Sequence, residues 1–263
     1  AFDRRSMETL GFPSNGAEGV DGLDSGLIGP SVSLAFDAKR NYTWTDVLPK
    51  DIFYEYVLNY ANVNEARNNW RPLLLKTIRP LIQKHAPETI NDVVQVLNKY
   101  IWAEMAPRGS ESIVFISGQT PLIFDPMSIL AFGYASCTGI AILFVDALRT
   151  AGVAARVAGT PAWNGNRTNG NHNWVEVYTE EGEWRFMEPS PAQDNIDDLE
   201  HDPCTRWFCS SSRFEGGQTP VFAARLDQEQ ADTHFQLAWE WNSTDVPGVD
   251  RTDFYTDVCS KCS

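Results

Sequence analysis

Gly133-Tyr-Ala-Ser-Cys137-Thr-Gly-Ile-Ala-Ile-Leu-Phe144, His172-Asn-Trp-Val-Glu-Val-Tyr178 and Trp184-Arg-Phe-Met-Glu188-Pro189 succeed one another within residues 133–189, and their reading decides the fold. The first segment predicts a helix opened by Ser136-Cys137-Thr138 and running to about Thr150, with Gly152 as its closing residue. Ile140, Ala141, Leu143, Phe144, Val145, Ala147 and Leu148 leave that helix almost no polar face, so it must be buried. The second and third segments alternate in the period of strands. Together with Val153 to Ala158 they predict an antiparallel meander of strands at about 153–158, 173–179 and 183–188, the last two joined by Glu180-Glu-Gly182.

Outward from this stretch, the N-terminal side reads as helical. Residues 1–33 are rich in Gly, Ser and Asp without periodicity and are expected to form an extended arm. Thr45-Asp46 can cap a first helix whose stripe is Ile52, Phe53, Tyr56, Val57 and Tyr60. A second runs from Trp70 to Ile82, and a third starts at Thr89 and ends near Met105-Ala-Pro107. Residues 108–132 carry breakers and no steady period, which predicts a loop with at most one short strand. Helices first and an antiparallel meander afterwards define an α+β fold: a helical N-terminal lobe and a buried Cys-bearing helix packed on the sheet. Residues 34–263 are expected to form one domain with core 133–191, followed by an acidic loop and a cysteine-bearing C-terminal extension.

The 263 residues are 43% hydrophobic and 12% aromatic, enough for a substantial core. A net charge of −14 argues against nucleic acid and anionic lipid as partners, both of which demand basic patches. No run approaches the roughly 20 apolar residues of a membrane span. Ala1-Phe-Asp-Arg-Arg5 has no apolar signal core, so any secretion signal has been removed or lies outside this sequence.

Cysteine parity separates one thiol from the rest. Of five cysteines, Cys204 with Cys209 and Cys259 with Cys262 form close couples, and Cys137 stands apart. Disulfides suit the four better than zinc, because Cys-x4-Cys distant from a terminal Cys-x2-Cys is poor zinc spacing. Their connectivity stays open between local bridges and a link from the 204–209 loop to the tail. Sequons at Asn41, Asn166 and Asn242 add to the expectation of a secreted or extracellular glycoprotein.

The chemistry comes from residue types and their places. At the first turn of a helix a thiol is met by the positive end of the peptide dipoles, which favours the thiolate, and by unpaired N–H groups that can bind an oxyanion. His172, one of four histidines, opens its strand and can reach such a thiol. Glu188 ends the neighbouring strand, where its carboxylate can orient the ring. Cys137, His172 and Glu188 are therefore the expected nucleophile, base and orienting acid. In the loop leading to His172, Trp163 and Asn171 are expected to line a substrate cleft, with Trp174 beside them. The acidic run after Pro191, so near the site, would favour basic or amine-bearing substrates.

The Cys137 segment, Ala147-Leu-Arg-Thr-Ala-Gly-Val-Ala-Ala-Arg156, His172-x-Trp-Val-Glu-Val-Tyr178 and Gly182-Glu-Trp-x-x-x-Glu188-Pro189 resemble the transglutaminase-like superfamily of papain-fold thiol enzymes. The resemblance is specific over about 133–191. It implies a cysteine-proteinase (papain/transglutaminase-like) fold, no cofactor and no metal, and the roles given above for Cys137, His172 and Glu188, although the family usually has Asp where Glu188 stands. It also implies a second oxyanion donor upstream of the cysteine, for which Trp102 and Gln119 are candidates. The activity expected is an acyl-enzyme formed at a peptide or side-chain amide and resolved by hydrolysis, in a monomer acting on a peptide, protein or glycopeptide. The alternatives are an amine-transferring cross-linker and a non-catalytic carbohydrate- or protein-binding member, for which nine Trp residues would supply stacking platforms.

Overall fold

The computed structural model describes residues 28–191, 199, 203, 211–214, 217–227 and 229–260. Its N-terminal lobe is helical: α1 (Gly29–Asn41), α2 (Thr43–Asp46), α3 (Lys50–Tyr56), α4 (Trp70–His85) and α5 (Ile90–Glu104). The expected arm therefore yields to a helix at Gly29, and residues 1–27 lie outside the described residues. α1 escapes a reading of large apolar stripes because the face it buries is Ser31, Ala35 and Ala38, behind a start set by Pro30. The single helix expected after Thr45 is two short ones, interrupted at Pro49, which has no N–H to give. α5 starts as expected: the Thr89 hydroxyl accepts from the Asp92 N–H while the Asp92 carboxylate accepts from the Thr89 N–H, a closed capping box.

Residues 108–132 are more ordered than expected. Val114–Phe115 (β1) pairs in parallel with Tyr134–Ala135 (β2), and Pro126–Phe132 forms helix α6. The sequence Asp125-Pro126, read as a break, is a helix start. The Asp125 carboxylate accepts from the N–H groups of Met127 and Ser128, both at 3.1 Å, with proline in the first turn.

Helix α7 (Cys137–Thr150) runs through the centre. Every residue from Thr138 to Thr150 is buried, so it has no solvent face and packs all round. The sheet beside it has six strands in the order β5-β4-β3-β6-β8-β7, all antiparallel: β3 (Ala155–Thr160), β4 (His172–Tyr178), β5 (Trp184–Met187), β6 (Phe222–Ala224), β7 (Thr233–His234) and β8 (Pro247–Asp250). Helix α8 (Ser211–Phe214) and helix α9 (Thr252–Ser260) complete the described chain. The fold is thus the expected α+β, and the three central strands fall where their alternation puts them. The C-terminal segments add half the sheet: a strand or short helix is expected through Val221-Phe222, where β6 stands, and another from Phe235 to Trp241, where neither forms.

The alternation of β4 sorts the core into two sides. Val175 and Val177 join α7 and the helical lobe in one cluster, while Trp174 meets Phe186, Phe214 and Tyr255 in another. Two buried arginines dock the helical lobe on α7. Arg71 of α4 donates to the Arg149 carbonyl at 2.7 Å, to the Val57 carbonyl at 2.7 Å and to the Ser31 hydroxyl at 3.0 Å, and Arg149 donates to the carbonyls of Ala61 and Ala155. Desolvation, then the charge of Arg149, lower the Arg71 pKa to about 9. Removing either partner from such a buried charged network costs about 3–5 kcal/mol.

Candidate active site

Cys137 is the first residue of α7, and Ser136 occupies the capping position without capping it. The Ser136 hydroxyl instead meets the Thr120 hydroxyl at 2.6 Å, tying the 117–121 loop to the cysteine. The first-turn N–H groups of α7 are consequently left uncapped by Ser136, at the positive end of a buried helix. Gly139 keeps this entry tight: a Cβ there would lie 2.7 Å from the Ala135 Cβ and 3.1 Å from the Phe124 Cα.

His172 begins β4 and is buried, with Nε2 at 3.2 Å from each Glu188 carboxylate oxygen. Glu188 comes directly after β5, held by the pairing of Val175 with Met187 one residue before it. With Nε2 facing the carboxylate, Nδ1 is the ring atom left for sulfur, and the imidazole is hydrogen-bonded to the Cys137 thiol. The structure therefore brings Cys137, His172 and Glu188 together in that order. The Glu188 side chain reaches the ring with both oxygens.

The electrostatics result from this contact. Burial by itself disfavours the charged imidazole, but the Glu188 charge, the hydrogen bonds to thiol and carboxylate, and the thiol's own charge outweigh it and push His172 up to about 10. Burial likewise raises the Cys137 thiol. The hydrogen bond and charge of His172, with the backbone N–H of Asn173, reverse that and bring the thiol below its ordinary value, against the opposing charge of Glu188. The two shifts describe one proton shared between sulfur and ring, and their direction favours the thiolate–imidazolium pair.

Asn173 and Asn98 are functional positions that residue-type reasoning missed. The Asn173 N–H bonds the sulfur, and its side-chain oxygen accepts from Thr138 Oγ1 at 2.8 Å, locking β4 to the first turn of α7. Asn98 Oδ1 accepts from the Ser190 N–H at 3.1 Å and fixes the chain just past Glu188. The main-chain role of Asn173 has no sequence signal, since any residue but proline supplies an N–H. Opposite Asn173, Gly159 is required by space: a Cβ there would meet Asn173 Nδ2 at 2.1 Å and the His172 carbonyl oxygen at 2.5 Å.

The remaining expected site residues divide. Gln119 adjoins Thr120, whose hydroxyl ties this loop to Ser136, and its own side-chain N–H donates to the Ser117 carbonyl at 3.4 Å. Trp102 does not face the site: its indole N–H donates to the Asn98 carbonyl at 2.8 Å and its ring stacks on Phe144 in the core. Asn171 is exposed next to His172. Trp174 is fully buried, its ring 6.0 Å from the His172 ring and its N–H donated to the Tyr255 hydroxyl at 2.7 Å, so it supports the histidine and offers no surface to substrate. Trp163 is closed over by Phe214 and the Arg213 guanidinium. Both tryptophans belong to the core and not to a cleft, because the C-terminal segments, invisible as a layer in the sequence, cover them. A surface groove of about 740 Å³ lies elsewhere, between Trp44, Glu88, Glu180 and Arg185, and holds none of the three reacting groups.

Of the expected disulfide residues, Cys204, Cys209 and Cys262 lie outside the described residues, Cys259 is buried against the second cluster, and no disulfide occurs among the described residues. The asparagines of the three sequons, Asn41, Asn166 and Asn242, are exposed. Among the described residues, no group of His, Cys, Asp and Glu has the arrangement of a metal site, and no helix is long and apolar enough to cross a membrane.

Residues 83–189 match the model of the transglutaminase-like superfamily core. Among solved structures, the chain is similar to a candidate cysteine protease from Cytophaga hutchinsonii, at 16% identity and a TM-score of 0.39, over 81% of this chain and 68% of that one. It is also similar to a structure named as a TGase, at 13% identity and a TM-score of 0.36, over 72% of this chain but only 45% of that one. No curated protein matches the sequence. The matched segment begins at the end of α4, contains Cys137, His172 and Glu188, and stops one residue beyond the last of them, so residues 83–189 are what this chain shares with the transglutaminase-like superfamily core.

Proposed function

We propose that this protein is a cysteine-dependent enzyme that forms an acyl-enzyme at a peptide or side-chain amide and resolves it with water. The observation that carries the reading is the His172 ring, hydrogen-bonded to the thiol on one side and held by both Glu188 oxygens at 3.2 Å on the other. A non-catalytic binding member would have no use for that pairing.

The geometry orders the steps. The Cys137 thiolate attacks the amide carbon, and the tetrahedral oxyanion is met by N–H groups of the α7 first turn, with Gln119 of the adjoining loop as the candidate for a further side-chain donor. His172, protonated and held by Glu188, gives its proton to the leaving nitrogen as the C–N bond breaks. The acyl group stays on sulfur as a thioester and ammonia or an amine departs. His172, now neutral, takes a proton from water, which adds to the thioester carbon, and collapse returns the proton to the thiolate pair and releases the acid. The exposed sequon asparagines support placing the enzyme outside the cell.

The test is intact-mass analysis of the wild-type protein and Cys137→Ser after incubation with amide peptides. An acyl adduct or hydrolysed product that disappears in Cys137→Ser supports the reading. Equal turnover by both proteins, or a Cys137 that iodoacetamide labels no faster at pH 6.5 than a free thiol, overturns it. Adding a primary amine distinguishes the outcomes of the acyl-enzyme: amide hydrolysis without incorporation is hydrolase behaviour, and a peptide–amine conjugate is transferase behaviour.

A further inference from the structure

Six of the nine large apolar side chains exposed among the described residues fall within 19 residues of chain just before the cysteine: Val114, Phe115, Ile116, Leu122, Met127 and Phe132. Leu122 is 83% exposed, Phe132 58% and Phe115 48%. The same region lacks charge. From Ser112 to Phe124 there is no Asp, Glu, Lys or Arg, in a chain whose composition is 21% charged. Exposed apolar side chains gathered so closely along the chain of an acidic protein mark a place where something binds.

Main-chain groups point the same way. The N–H groups of Val114 and Ile116 donate to the carbonyls of Gly133 and Ala135, at 3.0 and 2.9 Å, so β1 uses one edge on β2. Alternation along the strand turns the N–H and C=O of Phe115 to the opposite edge, where the Ile113 N–H already donates to the Trp102 carbonyl at 2.8 Å, and among the described residues β1 and β2 form a sheet of two strands. β2 runs parallel to β1 and ends one residue before the Ser136–Cys137 step, so both strands run toward the cysteine. A strand added there would lie about 10 Å to the side of β2, a distance that about three extended residues cover.

Resting on the reading of Cys137 as the acylated residue, we propose that the substrate is an extended, apolar peptide segment that adds as a strand to the Phe115 edge, presenting to Cys137 an amide about three residues away. Phe115 and Ile116 then determine specificity through side-chain contact, and the Phe115 N–H and C=O through main-chain hydrogen bonds. A lipid surface would need the apolar side chains but not the bare main-chain edge, and a basic substrate would find no charge to meet on it.

The experiment compares acetylated heptapeptides carrying one reactive amide, with either Leu-Val-Phe or Ser-Gln-Ser placed three residues from it, and a version of the apolar peptide N-methylated at the bonding amide. The expected result is a KM at least about tenfold lower for the apolar peptide, lost on N-methylation and lost in Phe115→Ser, while p-nitrophenyl acetate acylates Phe115→Ser as fast as wild type. Equal KM values for the two peptides, or no effect of Phe115→Ser, overturn the inference. So does a wild-type protein that sediments as a dimer which Phe115→Ser dissociates, or one that binds neutral phosphatidylcholine vesicles through the patch. If Cys137 is acylated by no compound at all, the enzyme reading fails instead. Fluorescence anisotropy of the apolar peptide on Cys137→Ser, with loss of binding on adding Phe115→Ser, then decides the docking edge alone.

Discussion

Glu188→Gln isolates the charge of the orienting residue from its shape, because glutamine can still present an oxygen to His172 Nε2. Both carboxylate oxygens stand 3.2 Å from that nitrogen, and both side chains are buried. Raising an imidazole from 6.5 to about 10 corresponds to about 5 kcal/mol in favour of the charged ring. Cys137 and Glu188 share this, and if Glu188 supplies half, its neutralisation weakens the ion pair by about 2–3 kcal/mol. The thiolate population at neutral pH, and with it the rate of Cys137 carbamidomethylation, should fall on the order of 10²-fold, since each 1.4 kcal/mol is a factor of ten. The stability effect has a defined sign. A histidine whose folded pKa is raised stabilises fully below its unfolded value near 6.5 and loses that contribution as pH rises through about 10. Wild type should therefore exceed Glu188→Gln in Tm by more at pH 6 than at pH 9.5. Glu188→Asp keeps the charge but withdraws it by one methylene, and should cost about tenfold in rate because the two-oxygen contact is lost. A pH profile of labelling that is superimposable for wild type and Glu188→Gln, with rates within threefold at pH 7, would refute the argument that Glu188 holds the proton on His172.

Gly159→Ala should destabilise the fold by about 3 kcal/mol or more, because its Cβ must displace the His172 carbonyl of β4 and the Asn173 side chain, and Cys137 labelling should slow with it; chemical denaturation and labelling kinetics on the same preparation check both. Thr138→Val removes the hydroxyl that donates to Asn173 and leaves a buried carbonyl oxygen without that donor, at a cost of about 1–3 kcal/mol in urea unfolding. Glu176→Gln strips the counter-charge from Arg156 and Arg251, whose guanidinium groups lie 2.7 and 2.9 Å from its two oxygens, and should cost about 3–5 kcal/mol. Burial alone would raise the Glu176 carboxyl, but the two arginines hold it below the usual carboxylate range, so this stabilisation is present above that range and disappears as pH falls through the lowered value. The gap in stability between wild type and Glu176→Gln should therefore narrow toward pH 3.

The buried Cys-bearing helix and the central meander were legible because their patterns are strong: thirteen consecutive buried positions in α7 leave no polar face to misread, and β4 sends Trp174 to one core cluster and Val175 and Val177 to the other. Cysteine parity and the order Cys137, His172, Glu188 were enough to name the three groups that the structure brings together. Other features were hidden for separable physical reasons. α1 buries small residues, so its apolar stripe is faint, and α6 begins at an Asp-Pro pair, which serves as a cap or as a break according to whether the next turn is helical. Trp102, expected as an oxyanion donor, and Trp163 and Trp174, expected to line the cleft, read equally well as core. Burial is decided by the groups that pack over them, which are Phe144 for the first and the C-terminal segments for the other two. Asn173 acts partly through its backbone N–H, where side-chain identity carries no information.

The C-terminal segments change what counts as a unit in this molecule. β3 lies between β4 and β6, and Tyr255 of α9 accepts the Trp174 indole N–H and donates to Glu176 Oε1 at 3.0 Å, so the strand that carries His172 is held from beyond the superfamily span. A protein cut after Pro191 would retain every reacting group and the whole matched segment. It would also bare an inner strand edge along Ala158 and Gly159 and strip the aromatic cover from Trp174. Such an edge pairs with whatever strand it meets. The isolated core should therefore assemble with itself before it catalyses anything, and in this chain the boundary of the homologous segment is not the boundary of the smallest folding piece.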